Sequence, residues 1–329
     1  MQRGVRDSRH GQCLFDVLYL NCLFKQSMSI TRVVAITGCD SGLGWSLAAR
    51  SAREGLVTVA GMFGGTDTNA SKALKNLSAH TCQLDVTSVD SVNGFRDYVK
   101  SVVDTNPEYR LHAVVNNAGI MTIGEYEWQT RSMIESAINV NLVGAMRVAS
   151  AFLPDLRTSA LNKVKPRLVN IASHCGLHAL PGFAPYSASK AGVMAWTRAL
   201  RMEQRPHGLG VVAFLPGGFV GASNLLSEQV SRGTLMLENL NEEQKQFYEK
   251  RIRSLMEYLG AGSVKTNFDS MKDENIIETF MQALLQENPK ELYMVENIRY
   301  KLYYSLMRLP LPEYLHHWLV KQFLCFPNP

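Results

Sequence analysis

The 329-residue sequence predicts an α/β fold, a doubly wound parallel sheet covered by helices on both faces. Short apolar runs rich in β-branched residues alternate with longer segments of helical composition. Those runs are apolar at consecutive positions, as parallel strands buried on both sides require. The first of them ends in a glycine turn that opens directly into a helix.

Val33-Val34-Ala35-Ile36 predicts the first strand, and Leu43 to Arg53, rich in Ala and Leu, the helix that follows. Val57-Thr58-Val59-Ala60 reads as the second strand and Thr81 to Leu84 as a short third. A helix over Val89 to Val103, a strand over Leu111 to Val115 and a helix over Met133 to Leu156 come next. The strand Arg167 to Ile171, the helix Ala184 to Glu203 and the strand Gly210 to Leu215 continue the alternation. After Pro216 it breaks, because residues 221–290 are polar. Helices are expected there over Asn241 to Tyr258 and Glu274 to Gln286, with one late strand over Glu291 to Val295.

These readings divide the chain into a poorly ordered extension over 1–29, one domain over 30–296 and an amphipathic C-terminal segment over 297–329. Within the domain, about 220–270 fits a substrate lid. The C-terminal segment is dense in Tyr, Leu, Trp and Phe between Ile298 and Phe326. A helix pair packed on the domain or across a dimer interface is favoured for it over an interfacial membrane contact.

Composition narrows the function classes. With 46% hydrophobic and 19% charged residues the chain can bury a large core. The net charge of +5 is spread without a long Lys/Arg run, which disfavours nucleic acid as a partner. Six cysteines show no CxxC spacing, so they read as free thiols of a reducing compartment. Eight histidines, His316-His317 included, carry no ligand spacing, and no metal is expected. Near the N-terminus, the apolar stretch from Cys13 to Phe24 is broken by Asp16 and Asn21, too short for a bilayer span and unlike a signal or transit peptide. Met28 is a candidate alternative start.

Four groups of residues carry chemistry. Thr37-Gly38-Cys39-Asp40-Ser41-Gly42-Leu43-Gly44 joins first strand to first helix, where glycines permit a tight turn and the helix N-terminus favours a pyrophosphate. Asp85, after the third strand, is either an acceptor for an adenine amino group or a helix cap for the segment beginning at Ser88. Asn116-Asn117-Ala118-Gly119 leaves the fourth strand at the sheet's carboxyl edge, where its amides can tie strands together or touch a ribose. Finally, Ser173 ends the fifth strand, and a loop containing Gly176, Pro181 and Gly182 can fold it back toward Tyr186-Ser187-Ala188-Ser189-Lys190. Tyr186 and Lys190 share a helical face, and an ammonium beside a phenol lowers the phenol's pKa. The Ser173 context lacks the elbow a hydrolase nucleophile needs. His174 and Cys175 read as pocket wall or core.

In this order and spacing the motifs resemble the short-chain dehydrogenase/reductase family over residues 30–300, a Rossmann-type fold. The resemblance implies that Tyr186 is the acid/base for a substrate hydroxyl or carbonyl and that Ser173 orients the substrate oxygen. It implies that Lys190 lowers the Tyr186 pKa and holds the nicotinamide ribose, and that Asn141 completes a proton relay. Gly38, Ser41, Leu43 and Gly44 would wrap the pyrophosphate, with Asp85, Asn116, Ala118 and Gly119 along the adenosine and ribose. Pro216, Gly217 and Phe219 would follow the sixth strand on the cofactor side. The glycine turn and the segment Arg299 to Leu324 are similar to the retinol, hydroxysteroid and 3-hydroxybutyrate dehydrogenase subgroup. Gly221 stands where the family places a Thr that holds the nicotinamide amide, which makes a catalytically weak, cofactor-binding scaffold an alternative unless Ser223 substitutes.

No basic residue lies in Cys39-Asp40-Ser41 or Gly61 to Thr66 to meet a 2′-phosphate, so NAD is favoured, with NADP not excluded. The acid that usually grips the 2′-hydroxyl is missing after the second strand. The expected substrate is a small hydrophobic secondary or allylic alcohol or ketone, steroid or retinoid favoured. The runner-up is a short 3-hydroxy acid, which needs a lid cation such as Arg232 or Lys265. A homo-oligomer, dimer or tetramer, is expected, in the cytoplasm, at the endoplasmic reticulum membrane surface or in the mitochondrion.

Overall fold

Why β1 (Thr31–Thr37) is apolar without alternation is visible in its neighbours: Val33 and Ala35 face one helical layer while Val34 and Ile36 face the other. The computed structural model describes residues 30–162, 164–218, 228–262, 267–307 and 309–324; the expectations for 1–29 and for Phe219, Gly221, Ser223 and Lys265 lie outside them. The other strands are β2 (Val57–Met62), β3 (His80–Gln83), β4 (Tyr109–Asn116), β5 (Arg167–Ile171), β6 (Gly210–Leu215) and β7 (Leu292–Met294). All pair in parallel in a seven-stranded sheet of order β3-β2-β1-β4-β5-β6-β7. The chain therefore reverses direction of growth between β1 and β4, and their carboxyl ends diverge into the crevice where open α/β sheets bind ligands.

One face carries α1 (Gly42–Arg53), α2 (Asn69–Asn76) and α9 (Glu274–Leu285); the other carries α3 (Val89–Asp104), α5 (Ala145–Leu161) and α6 (Ala184–Gln204). Between α3 and α5, Phe95 and Phe152 meet edge to face at 5.9 Å. Both are fully buried, and each such side chain contributes about 1.5–3 kcal/mol of hydrophobic stabilisation. Two polar groups pin α9 to the sheet. The buried Arg167 donates from Nη1 to the carbonyls of Ala283 (3.0 Å) and Gln286 (2.9 Å), and His112 Nε2 lies 2.8 Å from the Leu284 carbonyl. Burial, helped by the Arg167 charge, draws the His112 pKa down to about 4 and keeps the ring neutral.

Three differences from expectation concern the helices. The long helix expected over Met133 to Leu156 is α4 (Arg131–Ile138) and α5 joined by a π-helical turn, Asn139–Gly144. Arg131–Leu161 as a whole is long and apolar enough to cross a membrane, yet Val148, Phe152 and Leu156 spend that apolarity on the core. The helix α2 went unpredicted: it is short, with Ala70 and Leu74 its buried apolar residues and Ala73 packed beside them, too few to show a periodicity; its signal is the Thr68 cap, which accepts from Ser71 N–H at 3.2 Å. After β6, α7 (Gln229–Asn239) was likewise not expected, and it precedes α8 (Glu242–Gly262). The C-terminal segment forms the expected pair, α10 (Ile298–Met307) and α11 (Glu313–Leu324).

Candidate active site

The glycine turn after β1 is shaped to admit a diphosphate. Gly38 and Gly42 hold φ of +70° and +57°, conformations that favour glycine. A Cβ on Gly44 would lie 2.1 Å from the Gly38 carbonyl oxygen, so α1 can start this close to the turn only without a side chain there. Ser41 occupies the N-cap but makes no side-chain cap bond, leaving the α1 N-terminus without a side-chain cap; of its first N–H groups, that of Gly42 donates to the Phe268 carbonyl at 2.9 Å. The end of β4 is tied to this turn. Asn117 Nδ2 donates to the carbonyls of Thr37 (2.9 Å) and Gly38 (3.0 Å), while Thr37 Oγ1 accepts from the N–H groups of Asn117 and Ala118, both at 3.0 Å. A positive-φ turn beside a helix start without a side-chain cap fits a dinucleotide pyrophosphate, which Gly38, Ser41, Leu43 and Gly44 would hold.

Two of the expected cofactor contacts also have partners within the protein. Asn116 Nδ2 is taken by the Ala145 carbonyl (3.1 Å) and Asn170 Oδ1 (2.9 Å) in the core, while its buried Oδ1 has no partner. Asp85 Oδ1 accepts from the Thr87 N–H (2.8 Å) and hydroxyl (2.7 Å), a local turn; the cap of α3 is Ser88 itself. After β6, Pro216 leads to Gly217, whose φ of +77° packs against the Val295 carbonyl.

The structure brings Asn141, Ser173, Tyr186 and Lys190 to the same end of the sheet. Ser173 leaves β5 extended and accepts from the Cys175 N–H at 3.2 Å. Gly176 allows that loop down onto α6, since a Cβ there would meet the Lys190 carbonyl at 2.7 Å. The Ser173 hydroxyl then lies near enough to the Tyr186 phenol to favour its charged form. Asn141 sits buried in the π turn, where Oδ1 accepts from Ile120 N–H (2.8 Å) and Nδ2 donates to the Ile120 carbonyl (2.9 Å) and Ser189 Oγ (3.0 Å). With both ends of the amide engaged, any part in a proton relay falls to its backbone carbonyl. Gly119 lies against this group: a Cβ there would be 3.3 Å from Asn141 Oδ1 and 3.6 Å from Lys190 Nζ.

The family model for short chain dehydrogenase matches residues 32–230. The chain belongs to that family. This short-chain dehydrogenase is an oxidoreductase whose fold binds a nicotinamide cofactor. It is 33% identical over 275 residues to bovine (Bos taurus) mitochondrial D-beta-hydroxybutyrate dehydrogenase, covering 80% of this chain and 76% of that one. To rat (Rattus norvegicus) retinol dehydrogenase 7 it is 31% identical over 266 residues, covering 80% of each. Among solved structures, 3-ketoacyl-(acyl-carrier-protein) reductase from Brucella melitensis, complexed with NADH, superposes with a TM-score of 0.61 at 19% identity, over 82% of this chain and 98% of that one.

In this dehydrogenase burial dominates the electrostatics of both Tyr186 and Lys190. Burial pushes the Tyr186 phenol well above its ordinary pKa; the nearby Cys175 thiol adds to the rise, and the Ser173 hydroxyl opposes it. Lys190 does not offset this, because its ammonium donates to the Ile171 carbonyl at 2.9 Å and stands 5.9 Å from the phenol ring centroid. Burial draws Lys190 itself down to about 8 from 10.5. Below about pH 8 the buried charge therefore costs stability in full. Between about 8 and 10.5 the unfolded chain keeps a proton the folded one has lost, so stability rises with pH, by an amount of order 3 kcal/mol. Lys190→Met should lose that rise. Urea unfolding of both proteins from about pH 7 to pH 10 checks it, and equal slopes would refute the assignment.

The aromatic C-terminal segment closes over the site, which the sequence did not indicate. Tyr303, Tyr304 and Met307 of α10 share an apolar cluster with Met121, Ile123 and Phe183, against which Tyr186 packs. His174, next to Ser173, stacks on Tyr304 at 4.9 Å and places Nε2 3.1 Å from Glu296 Oε1. The Tyr300 hydroxyl comes so near Gly218 that a Cβ would meet it at 2.8 Å. Glu296, Tyr300 and Tyr304 thus line this side of the site; the density of tyrosines in Arg299 to Tyr304 was the available signal for the two tyrosines, and Glu296 had none.

Proposed function

We propose that the protein is an NAD(H)-dependent dehydrogenase/reductase that interconverts a hydrophobic secondary or allylic alcohol and its carbonyl, a steroid or retinoid being the favoured class. Tyr186 exchanges the proton with the substrate oxygen, Ser173 orients that oxygen, and Lys190 meets the nicotinamide ribose. When bound, the nicotinamide supplies or accepts the hydride. In the reducing direction a phenol that keeps its proton near neutral pH is the donor a developing alkoxide needs. In the oxidising direction the Lys190 charge has to draw that pKa down, which the burial of both groups makes a demanding step.

The observation that carries the substrate reading is the apolar cluster around Tyr186 together with the state of Arg232. A hydroxy acid, as the name of the bovine relative suggests, needs a cation for its carboxylate. Arg232 is committed: it donates to the Met121 carbonyl, to Thr122 Oγ1 at 2.9 Å and to Glu228 Oε2 at 2.9 Å. Supplying NAD with retinol, 3-hydroxysteroids and 3-hydroxybutyrate in parallel, and following reduced nicotinamide, separates the readings. Turnover of 3-hydroxybutyrate alone would overturn the hydrophobic assignment, and cofactor binding without any turnover would favour the scaffold.

The same segment supports a lipid-surface reading on its outer side. Ile298, Leu302, Tyr314 and Trp318 are exposed, while Tyr303, Tyr304 and Met307 face inward. Deleting residues 298–329 is expected to reduce flotation with phospholipid vesicles and to raise KM for a bulky lipid alcohol by roughly tenfold, since an apolar wall of the pocket is lost. A truncated protein unchanged in both would refute the assignment of this segment.

A further inference from the structure

We propose that Asp40 makes this dehydrogenase selective for NAD(H) over NADP(H), by reaching from the glycine turn to the end of β2 and holding the position a 2′-phosphate would take. The proposal rests on the cofactor reading above and adds the residue that decides between the two dinucleotides. In dinucleotide folds the adenosine ribose lies beside the end of the second strand, where an acid meets the 2′-hydroxyl. Here that stretch, Phe63-Gly64-Gly65-Thr66, has no acid.

The structure supplies one from elsewhere in the chain. Asp40 Oδ2 accepts from the Phe63 N–H at 2.9 Å and Oδ1 from the Gly64 N–H at 2.8 Å. The turn is held in place for this contact, since the Cys39 N–H donates to the Gly61 carbonyl at 2.9 Å. The absent side chain of Gly64 matters too: a Cβ there would stand 3.1 Å from Asp40 Oδ1. Asp40 is half-buried and Phe63 is exposed, so the carboxylate is anchored at the rim of the crevice rather than sealed in the core.

Two consequences follow from this arrangement. Successive backbone N–H groups at a strand end form an anion-binding concavity, the natural seat for a 2′-phosphate, and here a side chain of the same protein occupies it. A phosphate carrying −1.5 to −2 charges would also meet the carboxylate's own charge, whereas a 2′-hydroxyl can donate to one of its unused lone pairs. The nearest lysines along the chain do not reverse the balance. Lys72 pairs with Asp67 at 2.9 Å, and Lys75 Nζ donates to the Thr66 carbonyl at 2.8 Å.

Calorimetric titration of the full-length protein with NAD⁺ and NADP⁺ tests this without turnover. The wild type should bind NAD⁺ at least about tenfold more tightly than NADP⁺. Asp40→Ser and Asp40→Asn should each move that ratio toward NADP⁺ by about tenfold. Asp97→Asn, a surface charge removed from α3 on the opposite face of the sheet, should leave it within about twofold. Thermal melting identifies any variant that does not fold, and the wild-type ratio stands as a test by itself. A wild type that binds NADP⁺ as tightly as NAD⁺, or folded Asp40 variants with an unchanged ratio, would overturn the role of Asp40 and leave the cofactor reading intact. Binding of neither dinucleotide would overturn the cofactor reading, and this inference with it.

Discussion

Tyr186→Phe is expected to lower kcat by roughly two to four orders of magnitude on any alcohol the protein turns over, with the fold and the NAD affinity unchanged within about twofold. The substitution removes one oxygen and keeps the ring. That ring packs in the apolar cluster with Phe183 and Tyr304, a role phenylalanine fills as well. Ser173 loses a neighbouring hydroxyl but still accepts from the Cys175 N–H. Since burial already disfavours the charged phenolate, the loss falls on proton transfer rather than on stability. Ser173→Ala should cost less, and the double variant should be no slower than Tyr186→Phe alone, because both residues act on the same substrate oxygen. Pre-steady-state hydride transfer separates chemistry from product release. A Tyr186→Phe protein with wild-type turnover would make another group the acid/base.

The sheet was legible in the sequence because parallel strands buried on both sides write themselves as uninterrupted apolar runs. Val33 to Ile36 and Gly210 to Leu215 are of that kind, and both strands appear where expected. Asn69–Asn76 was not, since an eight-residue helix with two buried apolar side chains has almost no periodicity to show. The site residues were legible as motifs, but their contacts were not. Adjacent asparagines divide the work: Asn117 ties the glycine turn to β4, while Asn116 is absorbed by Asn170 and Ala145. Helical spacing placed Tyr186 and Lys190 on one face, yet it carried no information about burial. Both groups are desolvated there, and the Lys190 ammonium donates to the Ile171 carbonyl. Asp40 shows the same limit from the other side, because an acid in a turn gives no hint that its partners are amides more than twenty residues away.

Gly44→Ala and Gly94→Ala, the same chemical change at two helical glycines, are expected to have opposite signs. At Gly94, inside Val89–Asp104, a Cβ meets nothing within 4 Å. Alanine there lowers the entropy of the unfolded chain and favours the helix, for a gain of up to about 1 kcal/mol. At Gly44 the added atom would sit 2.1 Å from the Gly38 carbonyl oxygen and 2.3 Å from Asn117 Nδ2. Neither neighbour can retreat freely. Asn117 Nδ2 is the donor that holds Gly38 in place, and Gly38 is itself pressed against Ala118, where a Cβ would meet Cα at 2.8 Å. Relieving the overlap requires the start of the helix Gly42–Arg53 to move away from the ends of β1 and β4. That costs about 3 kcal/mol or more, a fall in Tm of at least about 4 °C in a chain of this length. The same displacement opens the cradle for the pyrophosphate, so NAD affinity should fall at least about tenfold in whatever fraction folds. Differential scanning calorimetry with and without NAD reads both effects. A Gly44→Ala protein as stable as the wild type would mean that the turn yields where its hydrogen bonds say it cannot.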